Sequence, residues 1–511
     1  MNRKTLRLLC TAFIASCFGL SAQAQPLTWV KRSGSGKLEY KRDANGNRIP
    51  DFSMVGYRQG EELPRIPKKA TLRPSSGDRT ADIKDAIDRI AAMPVQANGY
   101  RGALVLKKGL YEVSNTIALK NGVVIRGEGA EDGGTEIRMA LSGSGVVFKI
   151  AGKAPVVDSS SRARVTGDYV PLGAFSLRVE SGHSFSVGDR VVLTTERNAQ
   201  WLSDTWMDRL SDACGGNNWN YEGYTMSFRR RVTAVNGRRI RFDAPIVEPI
   251  ESQYGNAYVE KFSWKNVAKN IGIENLKIAS EFNPKRKNDE QNSSTAIALS
   301  NAEDVWVDRV HAHYFSRNCV RISGNVSQAT VQNSKYLNPL SKLTGGRRYA
   351  FVIGGGGKSG ATMCLFKNCF ADKARHDFVT GARVTGPHVF TRCTATNSIA
   401  DSGPHGRWAA GILYDNLVTD ERFHLGNRAC LGTGQGWGGV NHVLWNCTTH
   451  RYIAQDPPTS SMNFLFGCKG GAYSWNFHKP VFPSHKPAIR ESHGKRINSI
   501  PSLYEAQVED K

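Results

Sequence analysis

Cys364-Leu365-Phe366-Lys367-Asn368-Cys369 is followed, 24 residues on, by His388-Val389-Phe390-Thr391-Arg392-Cys393. Each is a short apolar alternation that runs into an Asn or Arg and then a small or apolar residue. The same figure stands earlier at Ile271-Gly272-Ile273-Glu274-Asn275-Leu276, Val305-Trp306-Val307-Asp308-Arg309-Val310 and Ala329-Thr330-Val331-Gln332-Asn333-Ser334. It returns at His442-Val443-Leu444-Trp445-Asn446-Cys447. Counted on the Asn or Arg, the steps are 34, 24, 35, 24 and 54 residues. Two bare steps of 24, with longer loop-bearing steps between, suit a coil of three short strands. Stacked coils of that kind share one continuous core. A β-sandwich predicts hairpins instead of recurring single motifs. The chain therefore reads as all-β, wound as a parallel β-helix solenoid.

Upstream, one helix is expected near Asp78-Arg79-Thr80. Ile83, Ala86, Ile87, Ile90 and Ala91 follow at spacings of three and four, and Pro94 ends it. Short β runs come next, at 103–106, 111–113, 116–119 and 123–126, broken by glycine or asparagine turns. The repeat is interrupted over 156–260, read as a small inserted β subdomain, where Asn236-Gly237 supplies a hairpin turn. Trp201 and Trp206 lie in it, as candidates to stack on sugar rings or to fill its core. Ser502 to Gln507 reads as a terminal helix able to cover the open end of the stack. The expected divisions are 1–24, 25–155 (helix cap and first coils), 156–260, 261–490 (main coils with the functional face) and 491–511.

The first residues read as an export signal. Arg3, Lys4 and Arg7 precede the mostly apolar 8–20, and Ala22-Gln23-Ala24 is a small-x-small cleavage site. A lipoprotein cut at Cys17 competes, but the apolar stretch continues past it. No later segment is apolar for long enough to span a bilayer. The expected destination is the periplasm or the exterior. Formal charge is +23, or +20 without the first 24 residues. A field of that sign attracts polyanions. In an exported chain the expected partner is acidic polysaccharide and not nucleic acid, met by a monomer. Eight cysteines remain beyond the signal, with no C-x-x-C zinc spacing. Cys319, Cys369, Cys393 and Cys447 end apolar runs and read as stacked buried thiols. Cys430 and Cys468 are the expected bridge.

Three motifs stand out: Gly345-Gly346-Arg347-Arg348-Tyr349, Arg375-His376-Asp377-Phe378-Val379-Thr380, and Gly403-Pro404-His405-Gly406-Arg407-Trp408. Together they are similar to a set of bacterial secreted proteins that carry all three, while Gly77-Asp78-Arg79-Thr80-Ala81 and the early coils at Gly109-Leu110-Tyr111 and 122–129 resemble the pectate-lyase-like superfamily of secreted right-handed β-helix proteins. The resemblance covers most of the chain beyond the signal. It implies a polysaccharide-active protein, and the superfamily holds lyases, hydrolases, epimerases and tailspikes.

Elimination on a uronic acid polymer needs a cation on the C6 carboxylate, a base for the C5 proton and an acid for the leaving oxygen. Arginine suits the first task with its fixed donor fork, and histidine the second. The assignment is His376 as base, Arg375 and Arg407 as carboxylate anchors, His405 as proton donor or orienter, and Tyr349 as a second acid. Arg347, Arg348, Arg317, Asp377 and Asp401 are expected along the substrate, with Trp201 and Trp206 beyond. Laying 375–381 over 405–411 would place these groups on one outward strip of stacked strands. His311, His313, His424, His442 and His450 stand apart in the sequence and read as structural. No catalytic metal is expected. Ca²⁺ is the one ion considered, through Asp372, Asp377, Asp401 and Asp415, which form no tight cluster. A glycoside hydrolase using Asp377 and Asp401, and a non-catalytic glycan-binding protein, are the alternatives.

Overall fold

The computed structural model describes residues 28–141, 145–286, 288, 290–472 and 486–511. The expected signal, its cut near Ala24, Cys10 and Cys17 lie outside them. Short strands stack in parallel into three ribbons that wind together as a parallel β-helix. One ribbon runs through Gly102–Leu106, Val123–Gly129, Ala268–Ser280, Ala302–His313, Ser327–Gln332, Cys364–Lys367, Thr385–Thr391, Ala409–Asp415 and Val443–Trp445. Register follows the repeat: Val331 pairs with Phe366, Phe366 with Phe390 and Phe390 with Tyr414. Alternate residues then face inward. Phe366, Phe390 and Tyr414 form a stacked column, with ring centroids 4.7 and 5.3 Å apart.

The Asn or Arg of each repeat is the corner into the second ribbon. Asn275, Arg309, Asn333, Asn368, Arg392, Asn416 and Asn446 all hold φ between 50° and 59°. This left-handed conformation bends the chain in a single residue, and asparagine tolerates it best after glycine. Their backbone N–H groups donate up the stack, from Asn368 to Thr391 O at 3.0 Å and from Arg392 to Asp415 O at 2.8 Å. Gly467 occupies the same corner one coil later, with φ 64°.

Cys319, Cys369, Cys393 and Cys447 are buried free thiols in the core, joined there by Cys364 and Cys468. The expected Cys430–Cys468 bridge is wrong. Cys468 points into the column, its thiol on Leu444 O at 3.5 Å, while Cys430 sits on an outer loop bonded to Cys214. That bond ties the main coils to the 156–260 region.

Helix Thr80–Ala91 buries Ile83, Ala86, Ile87 and Ile90 against the first coils. The 156–260 region carries a six-stranded antiparallel sheet. Its hairpin pairs Val235 with Ile240 and Asn236 with Arg239 around Gly237. Its apolar core does not close on itself, because Trp408, Ala410, Trp437 and Val440 from the main coils complete it. The C-terminal helix Leu503–Glu509, capped by Ser502 accepting from Glu505 N at 3.1 Å, is also not where the sequence reading put it. It lies along the side of the stack. Outward residues Leu365, Val389, Leu413 and Trp445 offer an apolar face there, shared with Val30, Phe52 and Val55 from the N-terminal segment.

Candidate functional site

The third ribbon runs through Thr295–Ser300, Asn318–Ile322, Tyr349–Ile353, His376–Thr380 and Gly403–Pro404, so Tyr349 pairs directly with His376. Here the fold gathers three rings. Tyr349 and His376 meet edge to face at 4.7 Å, His376 and His405 are tilted at 4.2 Å, and Tyr349 and His405 lie 5.3 Å apart. His376 is buried, whereas the His405 side chain is 19% exposed and Tyr349 is half-buried. His376 Nδ1 lies 2.6 Å from Asp401 O. A carbonyl can only accept, so Nδ1 carries the proton and Nε2 holds a lone pair. Among the described residues no group bonds that Nε2, or His405 Nδ1.

Beneath the rings runs a charged network. Arg428 Nη1 donates to Asp401 Oδ2 at 2.6 Å and Nη2 to Oδ1 at 3.4 Å, with both side chains buried. Arg428 also reaches His424 Nδ1 at 3.0 Å and Gln435 Oε1 at 2.7 Å. Arg375 is held on Gly345 O and adds positive charge beside Tyr349, His376 and His405. Burial, opposed by Asp401, pushes His376 down to about 4. Burial, His376 and Arg428 together push His405 down to about 3. Burial raises the Tyr349 hydroxyl. Asp401 is buried, which alone would raise its pKa, yet Arg428 and His376 hold it well below the ordinary carboxylate range. At neutral pH the site thus presents two uncharged imidazoles, a protonated phenol and an ionised, paired carboxylate.

His376, Asp401 and His405 each offer a ligand atom within 4.8 Å of the others. The donor set does not suit a dication, because Arg428 occupies both Asp401 oxygens and Arg375 adds a second positive charge. The four aspartates considered for calcium are dispersed among other duties. Asp372 accepts from Thr396 and Asn397, Asp377 from Ser398 and Ser402, and Asp415 from Ser502 and Tyr504 N.

Several sequence expectations need correction. His376 does not lie on an open strip, since Tyr349 and His405 cover it. Arg407 leaves the cluster: its guanidinium bonds Thr433 O at 2.8 Å and Gly434 O at 3.3 Å. The proposed overlay of 375–381 on 405–411 is out of register, because Val379 pairs with Gly403 and Thr380 with Pro404. Arg407 is instead equivalent to Arg383, both left-handed corner residues, with Arg383 N donating to Arg407 O. Arg347 is committed to Glu290 through two bonds of 3.0 and 3.1 Å, and Arg348 to Ser341. Arg317 sits half-buried on the coil before Tyr349. Asp377 is fully buried under two serines, and its burial raises it to about 7. Trp201 is no sugar platform: it is buried against Trp408, Trp219 and Tyr224. Trp206 is half-buried with Arg209 5.0 Å over its ring. Trp408 is buried, but it packs outward into the inserted region and not into the solenoid core.

Sequence reasoning missed Arg428 and His424. The available signal was Arg422-Phe423-His424-Leu425, which continues the third ribbon through the Ser402–Phe423 bridge. His388 and His442 are structural. Their Nδ1 atoms accept from Cys364 N at 3.2 Å and Ile412 N at 3.1 Å inside the stack.

No family model and no curated protein matches the sequence. Among solved structures, similarity is found to the tailspike protein gp49 of Pseudomonas phage LKA1, at 15% identity and TM-score 0.45. That match covers 77% of this chain and 64% of the tailspike, so the chain spans less than two thirds of the tailspike's length. A polygalacturonase from Erwinia carotovora ssp. carotovora matches at 10% identity, over 82% of this chain and 96% of its own, with TM-score 0.43. An alginate lyase from Paenibacillus sp. str. FPU-7 matches at 10% identity, over 80% and 98%, with TM-score 0.39.

Proposed function

We propose that this parallel β-helix acts on an acidic polysaccharide, cleaving it by β-elimination beside a uronate carboxylate at the Tyr349–His405 surface. The observation that carries the reading is the pairing of two partly exposed rings, an imidazole kept neutral and a phenol kept protonated, beside Arg375. Two titratable groups whose surroundings drive their proton affinities apart suit a base and an acid. In the proposed step His405 takes the C5 proton. The C5–H electrons form the C4–C5 double bond, the C4–O bond breaks, and the Tyr349 hydroxyl protonates the departing oxygen. Arg375 would release Gly345 O to grip the carboxylate, and neutralising that charge stabilises the enolate-like intermediate. Burial is the first cause of the depressed His405, and an anionic substrate would oppose the positive field that adds to it, raising its basicity. His376 is reassigned from base to positioning residue. Its Nδ1–H is fixed on Asp401 O, and its ring supports both acting groups.

The test is product chemistry on polygalacturonate, alginate, glucuronan and glycosaminoglycan. An unsaturated uronate with new ultraviolet absorbance is the expected product. Reducing ends without that absorbance would show hydrolysis and reject the elimination.

A further inference from the structure

We infer that a second acidic-glycan site lies away from the Tyr349–His405 surface, in a cleft of about 1110 Å³ between the N-terminal segment, the inserted sheet and the C-terminal helix. Arg42, Arg48, Arg231, Arg239 and Arg241 all line it. The hydrogen bonds these guanidiniums make go to neutral oxygens. Arg42 bonds Gly46 O at 3.1 Å, Arg48 bonds Gly173 O at 3.3 Å, Arg231 bonds Gly188 O at 3.2 Å, and Arg239 bonds Ser176 Oγ at 3.3 Å. The carboxylates of the same cleft make their hydrogen bonds and ion pair elsewhere, although Asp51 acts through space on Arg48 and Asp243 on Arg231. Asp51 accepts from Ser53 N, buried Asp243 from Arg231 N, and Asp510 faces Lys37 at 3.9 Å. Among the described residues none of these five donor forks makes a direct salt bridge, and all line one concave space. Guanidiniums in that state bind carboxylate or sulfate through paired hydrogen bonds. A volume of this size takes a short oligosaccharide and not a single ring.

The aromatic residues decide between a glycan and a nucleic acid. Single-stranded nucleic acid sites offer free ring faces for base stacking. Here Arg48 covers Tyr40 at 4.7 Å, and Arg241 covers Phe175 at 4.9 Å with Arg48 5.9 Å from the same ring. The rings hold the guanidiniums in place. A chain bearing a negative group on each sugar would use them, and the site would retain an acidic polymer while the Tyr349–His405 surface acts on it.

The experiment compares the whole protein with an Arg231→Gln/Arg239→Gln/Arg241→Gln variant, three exposed positions. The probes are hexasaccharides of polygalacturonate and heparin, with single- and double-stranded DNA of equal charge, at two salt concentrations. The variant is expected to bind the hexasaccharides at least about tenfold more weakly at low salt with an unchanged melting temperature. If the triple variant fails to fold, Arg239→Glu alone is expected to weaken binding in the same direction. Unchanged hexasaccharide affinity would overturn the proposal. So would tighter binding of either DNA that the substitutions abolish. A protein that yields no unsaturated product but loses hexasaccharide binding in the variant supports the cleft and rejects only the elimination.

Discussion

At Tyr349 the side chain is held on both sides, by His376 on its own ribbon and by His405 folded back from the next coil. The elimination reading assigns proton transfer to the two exposed rings, so Tyr349→Phe and His405→Gln are expected to lower kcat by about 10²–10⁴-fold. Melting temperatures should stay near that of the unaltered protein, because neither side chain is fully buried. Equal loss of stability and turnover would identify structural residues. Asp401→Asn should behave in the opposite way. It leaves Arg428 buried without its anion, a change that typically costs about 3–5 kcal/mol. Chemical denaturation should show that loss even without substrate.

Corners, and not strands, carry the repeat at the scale of the element. Each Asn or Arg at the first corner is left-handed, which an L-residue other than Gly, Asn or Asp adopts at a cost of about 1–2 kcal/mol. Asn368→Ala should therefore destabilise by about 1 kcal/mol, while Asn368→Gly should be close to neutral in urea denaturation. Equal destabilisation by the two would show that the Asn368 side-chain bond to Asn333, at 3.1 Å, matters more than the backbone angle. The repeat was legible because the corner recurs at one place per coil. The strand residues between corners needed only alternation. The tail helix was misplaced because its amphipathic pattern says that it has one buried face, not which surface covers it. The partner surface, Leu365, Val389 and Leu413, is made of residues from three separate coils.

The whole molecule buries an unusual set of uncharged histidines. Burial pushes His313 and His376 down to about 4 and His388, His405 and His442 down to about 3. The unfolded chain protonates each near 6.5, so as pH falls below that value it binds protons the folded state refuses. Stability contributed by these groups is present above pH 6.5 and is lost as pH falls towards the folded values. Asp304, Asp377 and Asp415 work against this. Burial raises them to about 6, 7 and 6, so they favour the folded state at low pH and lose that contribution as pH rises through those values. The histidines outnumber them. Melting temperature is expected to fall steadily from pH 6.5 to 4, and His388→Gln/His442→Gln should flatten that slope. An unchanged slope in the double variant would exclude those two imidazoles as its source.

The spacing of Asn275, Arg309, Asn333, Asn368, Arg392 and Asn446 sufficed to identify a wound β ladder, because one left-handed corner and one inward column recur locally along the chain. Grouping Arg375, His376 and His405 was also within its reach, since neighbouring coils bring them together. What only the tertiary structure decided is which rings meet the solvent. His376 is covered by residues from the coils on either side, Arg407 turns to Thr433, and Arg428 comes from a later loop to neutralise Asp401. Burial and ion pairing of this kind depend on contacts across coils, and a linear pattern carries the register of a strand but not the direction its side chains finally take.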